Sequence, residues 1–392
     1  MHRGLVVGLA VLLSALGAMA IVAGCGGHAA IAPPGPDDGY VGAAVCGICH
    51  RAEMDDHRAA GHPYKLVKIT GGLPPVFPFS TVPLTPAGYS WNDITYVIGG
   101  YGWKARYVDR NGYIVTGDAV QYNLATSAFG PYEATVPPGT KPYDCGACHT
   151  TGWVATGAAG PHQDGLAGMY GTFSEPGIQC EACHGPGGRH ASTGNVSDIR
   201  IDRTAEACGQ CHYRDAAKQR IPAKEGFIQH HEQFEEMRSA GHRALSCLDC
   251  HHHHKGSLYS SEGITRNCQG CHSTQARNSA HGNRASCEDC HMAQATRSAL
   301  APTQYQGDVA THIFRINTNP VGKAAMFYTD AVTASHRGEL DEVAATSPEY
   351  AHGFVTLDFA CYSCHRDENG VGGTGSQKTL AELSAYARGY HD

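Results

Sequence analysis

One five-residue pattern recurs along this chain and leaves little freedom for what it can fold into. The pattern is C-x-x-C-H, at Cys46–His50, Cys145–His149, Cys180–His184, Cys208–His212, Cys247–His251, Cys268–His272, Cys287–His291 and Cys361–His365. These eight motifs use 16 of the 17 cysteines. Two cysteines three apart reach the two vinyl groups of one haem, and the next histidine points its imidazole at the iron. Zinc sites use C-x-x-C without needing a histidine directly after it. A disulfide framework or a single redox C-x-x-C also leaves these histidines unexplained. The reading is eight covalently bound haem c groups. Their thioethers form at Cys46, Cys49, Cys145, Cys148, Cys180, Cys183, Cys208, Cys211, Cys247, Cys250, Cys268, Cys271, Cys287, Cys290, Cys361 and Cys364. The proximal iron ligands are His50, His149, His184, His212, His251, His272, His291 and His365.

A chain of 392 residues with that load wraps one haem for about every 50 residues. Only 17% of residues are charged and 49 are glycine, so much of the core is expected to be porphyrin. The expected fold is mainly coil with short α-helices wrapped around stacked haems, plus a small antiparallel β element near residues 91–122: a multihaem cytochrome c. The formal charge is -7 with neutral histidines. Ferric haems with ionised propionates add about -8 more, so nucleic acid is not an expected partner.

Residues 1–24 read as a lipoprotein signal peptide, with Arg3, the apolar Leu5–Val22 and the ending Val22-Ala23-Gly24-Cys25. Cys25, the one cysteine outside the motifs, is the expected lipidation site. An uncleaved anchor over Gly4–Gly24 is the competing reading. Either way the chain is exported, as haem attachment requires, and the first reading places it lipid-anchored at the outer membrane, facing the periplasm or the cell surface. Residues 25–39 comprise the lipidated cysteine and a flexible tether rich in glycine and proline.

Residues 40–142 carry the first haem, a short helical piece over Glu53–Ala60 and the β element. Alternating large apolar residues from Trp91 to Val108 read as strands, and Asp109-Arg110-Asn111-Gly112-Tyr113 carries the Asn-Gly signal of a tight hairpin. Residues 143–300 hold a six-haem cluster whose motifs arrive every 19 to 39 residues, with a helix predicted over Ile228–Ala240. Residues 301–392 bring the eighth haem and a tail helix near Lys378–Ala387.

The second axial ligand separates carrier from enzyme. A second histidine closes the iron, whereas an open iron binds substrate. Eight are needed, and 16 further histidines follow the leader. The candidate distal ligands are His62, His190, His231 (or His230), His242, His252 (or another of the run to His254), His281, His312 and His391. His57, His162, His336 and His352 read as surface or hydrogen-bonding residues. Met54, Met169, Met237, Met292 and Met326 could also ligate, but no spacing selects them.

The chain resembles the multihaem c-type cytochromes of metal-reducing and other anaerobic bacteria. Gly61-His62-Pro-Tyr, Tyr96-Val-Ile-Gly-Gly-Tyr-Gly-Trp-Lys-Ala-Arg-Tyr-Val-Asp109 and Glu181-Ala-Cys-His-Gly-Pro-Gly are similar to members associated with extracellular electron transfer. Cys287-Glu-Asp-Cys-His-Met292, Thr311-His312-Ile-Phe-Arg-Ile-Asn317 and Thr356-Leu-Asp-Phe-Ala-Cys361 are similar to other multihaem carriers. The resemblance implies redox partner proteins, other c-type cytochromes among them, and an electron path from a periplasmic or membrane donor to an outer-surface or extracellular acceptor. Some such relatives polymerise into haem wires. A wire or porin-complex subunit is thus a further reading, although a lipobox is not typical of a soluble filament subunit. The alternative is a multihaem reductase of a small nitrogen or sulfur oxyanion with one open haem. Octahaem nitrite and hydroxylamine enzymes carry a lysine-ended motif or a tyrosine link in some families, whereas all eight motifs here end in histidine. Lys255 and Arg243 are the cations that reading would place beside the haem. No catalytic residue is assigned.

Overall fold

Strands form where aromatic and β-branched residues alternate, and they reach further than residues 91–122. In the computed structural model, which describes residues 39–275, 281–282, 284–329 and 349–391, the leader, Cys25, the tether to residue 38 and His336 lie outside the described residues. Seven strands build one antiparallel sheet: β1 (Leu66–Lys68), β2 (Ile94–Gly99), β3 (Lys104–Asp109), β4 (Tyr113–Ile114), β5 (Gly117–Asn123), β6 (Ala128–Tyr132) and β7 (Lys141–Pro142). Their order is β1-β2-β3-β4-β7, with β5 pairing β3 and β6. Side chains alternate between faces along a strand. Val97, Ala105 and Tyr107 enter one apolar cluster, while Tyr96, Val108 and Ile114 enter another with Leu66 and Met169. Both faces are therefore covered.

The Asn-Gly signal marks a real turn. Gly112 N–H donates to the Asp109 carbonyl at 3.1 Å, and Gly112 has φ 90°, where a side chain would also strike Leu166 and Met169. The other end of β3 is fastened across the molecule, since the Trp103 indole N–H donates to the Asp308 carbonyl at 2.8 Å.

A second sheet joins distant segments in the order Phe227–Ile228, Ile221–Lys224, Glu349–Ala351, Phe327–Thr329. Its core includes Ile228, Ile313, Met326, Val355 and Phe359. This sheet shortens the helix predicted over Ile228–Ala240, which spans only Gln233–Arg238. Ile228 pairs with Ala223 as a strand residue and donates its N–H to the Ala295 carbonyl, so the apolar pattern there serves two structures.

The motifs lie on helices of one or two turns, such as Ala43–Cys49, Cys180–His184 and Cys287–His291. In the motifs that begin at Cys46, Cys208, Cys247, Cys268 and Cys361 the histidine N–H donates to the first cysteine's carbonyl, with distances of 2.8 to 3.0 Å. One helical turn thus places the first cysteine and the histidine on one face. Ser246 with Asp249 and Ser286 with Asp289 cap two of these turns reciprocally. Turns this short do not persist in water alone and depend on what packs against them. The tail helix spans Leu380–Ala387, capped by Thr379 and Glu382, with Leu383 packed near Leu357 and Tyr362. Among the described residues no helix is long and apolar enough to cross a membrane.

Candidate haem-ligating histidine pairs

Numbered in chain order, each of the eight motif histidines has a second imidazole opposite it. The ring centroids are 6.1 Å apart for His50 and His190, 6.1 Å for His149 and His231, 6.3 Å for His184 and His254, and 6.3 Å for His212 and His62. They are 6.1 Å apart for His251 and His312, 5.8 Å for His272 and His242, 5.9 Å for His291 and His391, and 6.1 Å for His365 and His281. A metal–imidazole nitrogen bond is about 2 Å, and the ring centre lies about 1 Å further out, so two axial imidazoles on one metal have centroids about 6 Å apart. Among the described residues no three His, Cys, Asp or Glu side chains converge to hold a metal by themselves. Two opposed imidazoles fit an iron whose other four ligands come from a porphyrin. The residues therefore fit a haem at each motif.

The free ring nitrogens show how the imidazoles are aimed. The Nδ1 atoms of His149, His184, His291 and His365 lie 3.0, 2.8, 2.7 and 3.1 Å from the carbonyls of Lys65, Arg200, Phe314 and Ser376. A carbonyl only accepts, so Nδ1 carries the proton and Nε2 keeps the lone pair a metal requires. On the distal side, His190 Nδ1 donates in the same way to the Asn195 carbonyl at 2.9 Å. Burial, helped by Lys65 and neighbouring histidines, holds His62 down to about 3. Burial likewise takes His312 to about 3 and His254 to about 4, with neighbouring histidines adding to it. These rings are neutral at pH 7, as ligands must be.

At motif 3 the opposed ring is His254 rather than His252. His252 Nδ1 accepts the backbone N–H groups of His254 and Lys255, each at 3.1 Å. That leaves its proton on Nε2 and no lone pair to offer. His57 stacks on His62 at 6.4 Å and is buried rather than at the surface. His162 Nδ1 lies 2.7 Å from the Met169 carbonyl, and His352 stacks against Phe354. Met169 and Met326 are core residues without exposed surface. Lys255 sits at the surface between Asp56 and Glu262.

The cations that do gather are others. Lys104, Arg106 and Arg214 act on half-buried His230, and Lys65 and Arg214 act on His231. Glu232 is fully buried 3.1 Å from Arg214, and burial pushes its carboxyl well above the usual range. No spacing in the sequence joins residues 65, 104–106 and 214.

Thiols of different motifs also meet. Cys46 lies beside Cys180 and Cys208 beside Cys247, while Cys148 Sγ lies 3.9 Å from the Gln210 carbonyl and Cys211 Sγ 3.8 Å from the Ala147 carbonyl. Cys183 interacts electrostatically with Cys208, Cys250 with Cys271, Cys268 with Cys287, and Cys290 with Cys361 and Cys364. The motifs therefore follow one another in space as 1, 3, 4, 5, 6, 7, 8, and motif 2 adjoins motif 4.

No family model and no curated protein matches the sequence. Solved structures do match. An octahaem sulfite reductase, MccA, of Wolinella succinogenes superposes with a TM-score of 0.54 at 15% identity, over 93% of this chain and 69% of that one. The outer cell wall cytochrome OcwA gives 0.53 at 17% identity, over 88% and 86%. An undecahaem cytochrome from the S-layer of Carboxydothermus ferrireducens gives 0.50 at 16% identity, over 92% of this chain and 61% of that one. The fold is that of a multihaem cytochrome. Multihaem cytochromes of this fold bind haem c covalently, and the opposed imidazoles and paired cysteines here suit that attachment.

Proposed function

We propose that the chain is an octahaem c-type cytochrome that carries electrons between a periplasmic or membrane donor and an outer-surface or extracellular acceptor. One observation carries this reading: all eight motif histidines have an opposed imidazole, which leaves no axial position for a substrate. Bound haem supplies the one-electron chemistry, cycling between ferric and ferrous iron. The chain's residues supply the ligands, hold His149, His184, His190, His291 and His365 in one tautomer, and order the motifs in a series with a branch at motif 4. The S-layer and outer cell wall origins of two neighbours support a place at the cell surface. Lipidation at Cys25 would tether the body there, beside redox partner proteins or within a larger cytochrome or porin assembly.

A reductase of a small oxyanion is the second reading. It is favoured by the cations around His230 and His231 at motif 2, which suit a developing negative charge. It requires His231 to leave the position opposite His149. Carbon monoxide added to the reduced holoprotein tests both readings. A six-coordinate carrier leaves the spectrum unchanged, whereas binding at one haem in eight, abolished by sulfite or nitrite, reverses the ranking. Mass spectrometry of the purified chain counts the haems and detects an acylated Cys25.

A further inference from the structure

Among the described residues motif 4 adjoins three others: Cys208 lies beside Cys247 of motif 5, Cys211 Sγ lies 3.8 Å from the Ala147 carbonyl of motif 2, and Cys208 interacts with Cys183 of motif 3. Its histidine also differs in its partner. His149, His184 and His291 each present Nδ1 to a backbone carbonyl, which any sequence would supply, and His365 presents it to both the carbonyl and the hydroxyl of Ser376, each at 3.1 Å. His212 presents Nδ1 to a side chain, the Gln233 amide oxygen, at 3.0 Å. The amide's orientation follows from its other end, since Gln233 Nε2 lies 3.5 Å from the His230 carbonyl and must donate there. The oxygen therefore faces His212 and accepts its Nδ1–H.

Two further contacts hold this arrangement. Phe234 N–H donates to the His212 carbonyl at 3.0 Å, so adjacent residues grip the backbone and ring of one histidine. The Phe234 ring packs against Gly209, where a side-chain carbon would come within 2.4 Å of it. The same segment serves two neighbouring sites. His231 stands opposite His149 at motif 2, and the Glu236 carboxylate accepts the backbone N–H of His312 at motif 5. Hydrogen bonding to the outer nitrogen of a ligating histidine fixes its orientation and raises its basicity, which stabilises the ferric state.

We infer that Gln233 is a positioning residue that sets the reduction potential of the motif 4 haem, and through it the partition of electrons at the branch. The inference rests on the electron-carrier reading and deepens it.

The test uses the full-length holoprotein with Q233E and Q233L, titrated by spectroelectrochemistry and compared by EPR. A carboxylate accepts the Nδ1–H more strongly, so Q233E should move one-eighth of the haem absorbance to lower potential. Leucine offers no acceptor, so Q233L should move a similar fraction to higher potential and alter one low-spin EPR signal. Unchanged potentials in both variants, or a uniform shift of all haems, would overturn the inference. If one variant fails to load haem, the other decides by the sign of its shift. Wild-type protein keeps the two failures apart. A wild-type spectrum lacking low-spin haem sinks the carrier reading, while a low-spin wild type with silent variants sinks only the role of Gln233.

Discussion

His149 and His231 oppose each other with their ring planes 87° apart, close to perpendicular. His62 with His212 and His242 with His272 are also near-perpendicular, at 89° and 83°. His50 with His190, His251 with His312 and His291 with His391 are nearer parallel, at 30°, 33° and 21°. The relative orientation of two axial imidazoles sets how far the iron d orbitals split, because each ring donates along one direction. Perpendicular rings leave the orbitals nearly degenerate and give a highly anisotropic low-spin signal, while parallel rings give a rhombic one. EPR of the oxidised protein should therefore show both classes in comparable amounts. A single rhombic class would contradict the ring geometry, and a stoichiometric high-spin signal would contradict the pairing itself.

The pairing of His184 with His254 yields a prediction by substitution. His254→Ala removes the opposed ring and should let one haem in eight bind carbon monoxide after reduction. His252→Ala removes only an acceptor for two backbone N–H groups, so it should lower stability by about 1–2 kcal/mol without opening an iron. Carbon monoxide difference spectra of the two variants check this. Equal binding by both, or binding by the His252 variant alone, would reverse the assignment.

The multihaem fold is legible in the sequence because the C-x-x-C-H pattern is local: cysteine and histidine within one turn declare their chemistry without tertiary information. Of the histidines that the sequence offers as distal candidates, His62, His190, His231, His242, His281, His312 and His391 stand opposite motif histidines. Choosing among His252, His253 and His254 needed the turn that commits His252 Nδ1 to backbone donors. Periodicity could not shorten the helix at Ile228, because an apolar residue serves a strand and a helix equally well. The Gln233–His212 contact and the cations around His230 join segments that only the fold brings together.

Glu181, inside the third motif, clamps the first. Its carboxylate accepts N–H groups of Val41 at 3.0 Å, Gly42 at 2.8 Å and Gly187 at 2.7 Å, and it is only 2% exposed. Glu175 adds the N–H of Ala43 at 2.9 Å. Removing the carboxylate leaves buried donors unpaired, so Glu181→Ala should ease opening of this segment by about 2–4 kcal/mol. Hydrogen exchange should quicken at residues 41–49 and stay unchanged in β2 and β3. Equal acceleration in both regions would mean that Glu181 supports the whole fold rather than the docking of the first motif.

Glu235 gives the chain a pH dependence whose sign is fixed by its burial. The side chain is 2% exposed, and burial pushes its carboxyl from 4.5 up to about 7, against the pull of the Arg214 and Asp215 N–H groups. An acid with a raised folded-state pKa holds its proton in the native state after the unfolded chain has lost it. Its contribution is thus fully present below about pH 4.5 and is lost as pH rises toward 7. The loss amounts to about 3 kcal/mol at most, at 1.36 kcal/mol per pKa unit. Glu235→Gln cannot ionise, so its unfolding midpoint should rise relative to wild type across that interval. Taking the difference between the two proteins cancels the titration of groups that do not feel Glu235, leaving Glu235 with its neighbours Asp215, Glu232 and Glu236, and parallel midpoints from pH 4.5 to 7 would mean that Glu235 titrates as an ordinary carboxylate.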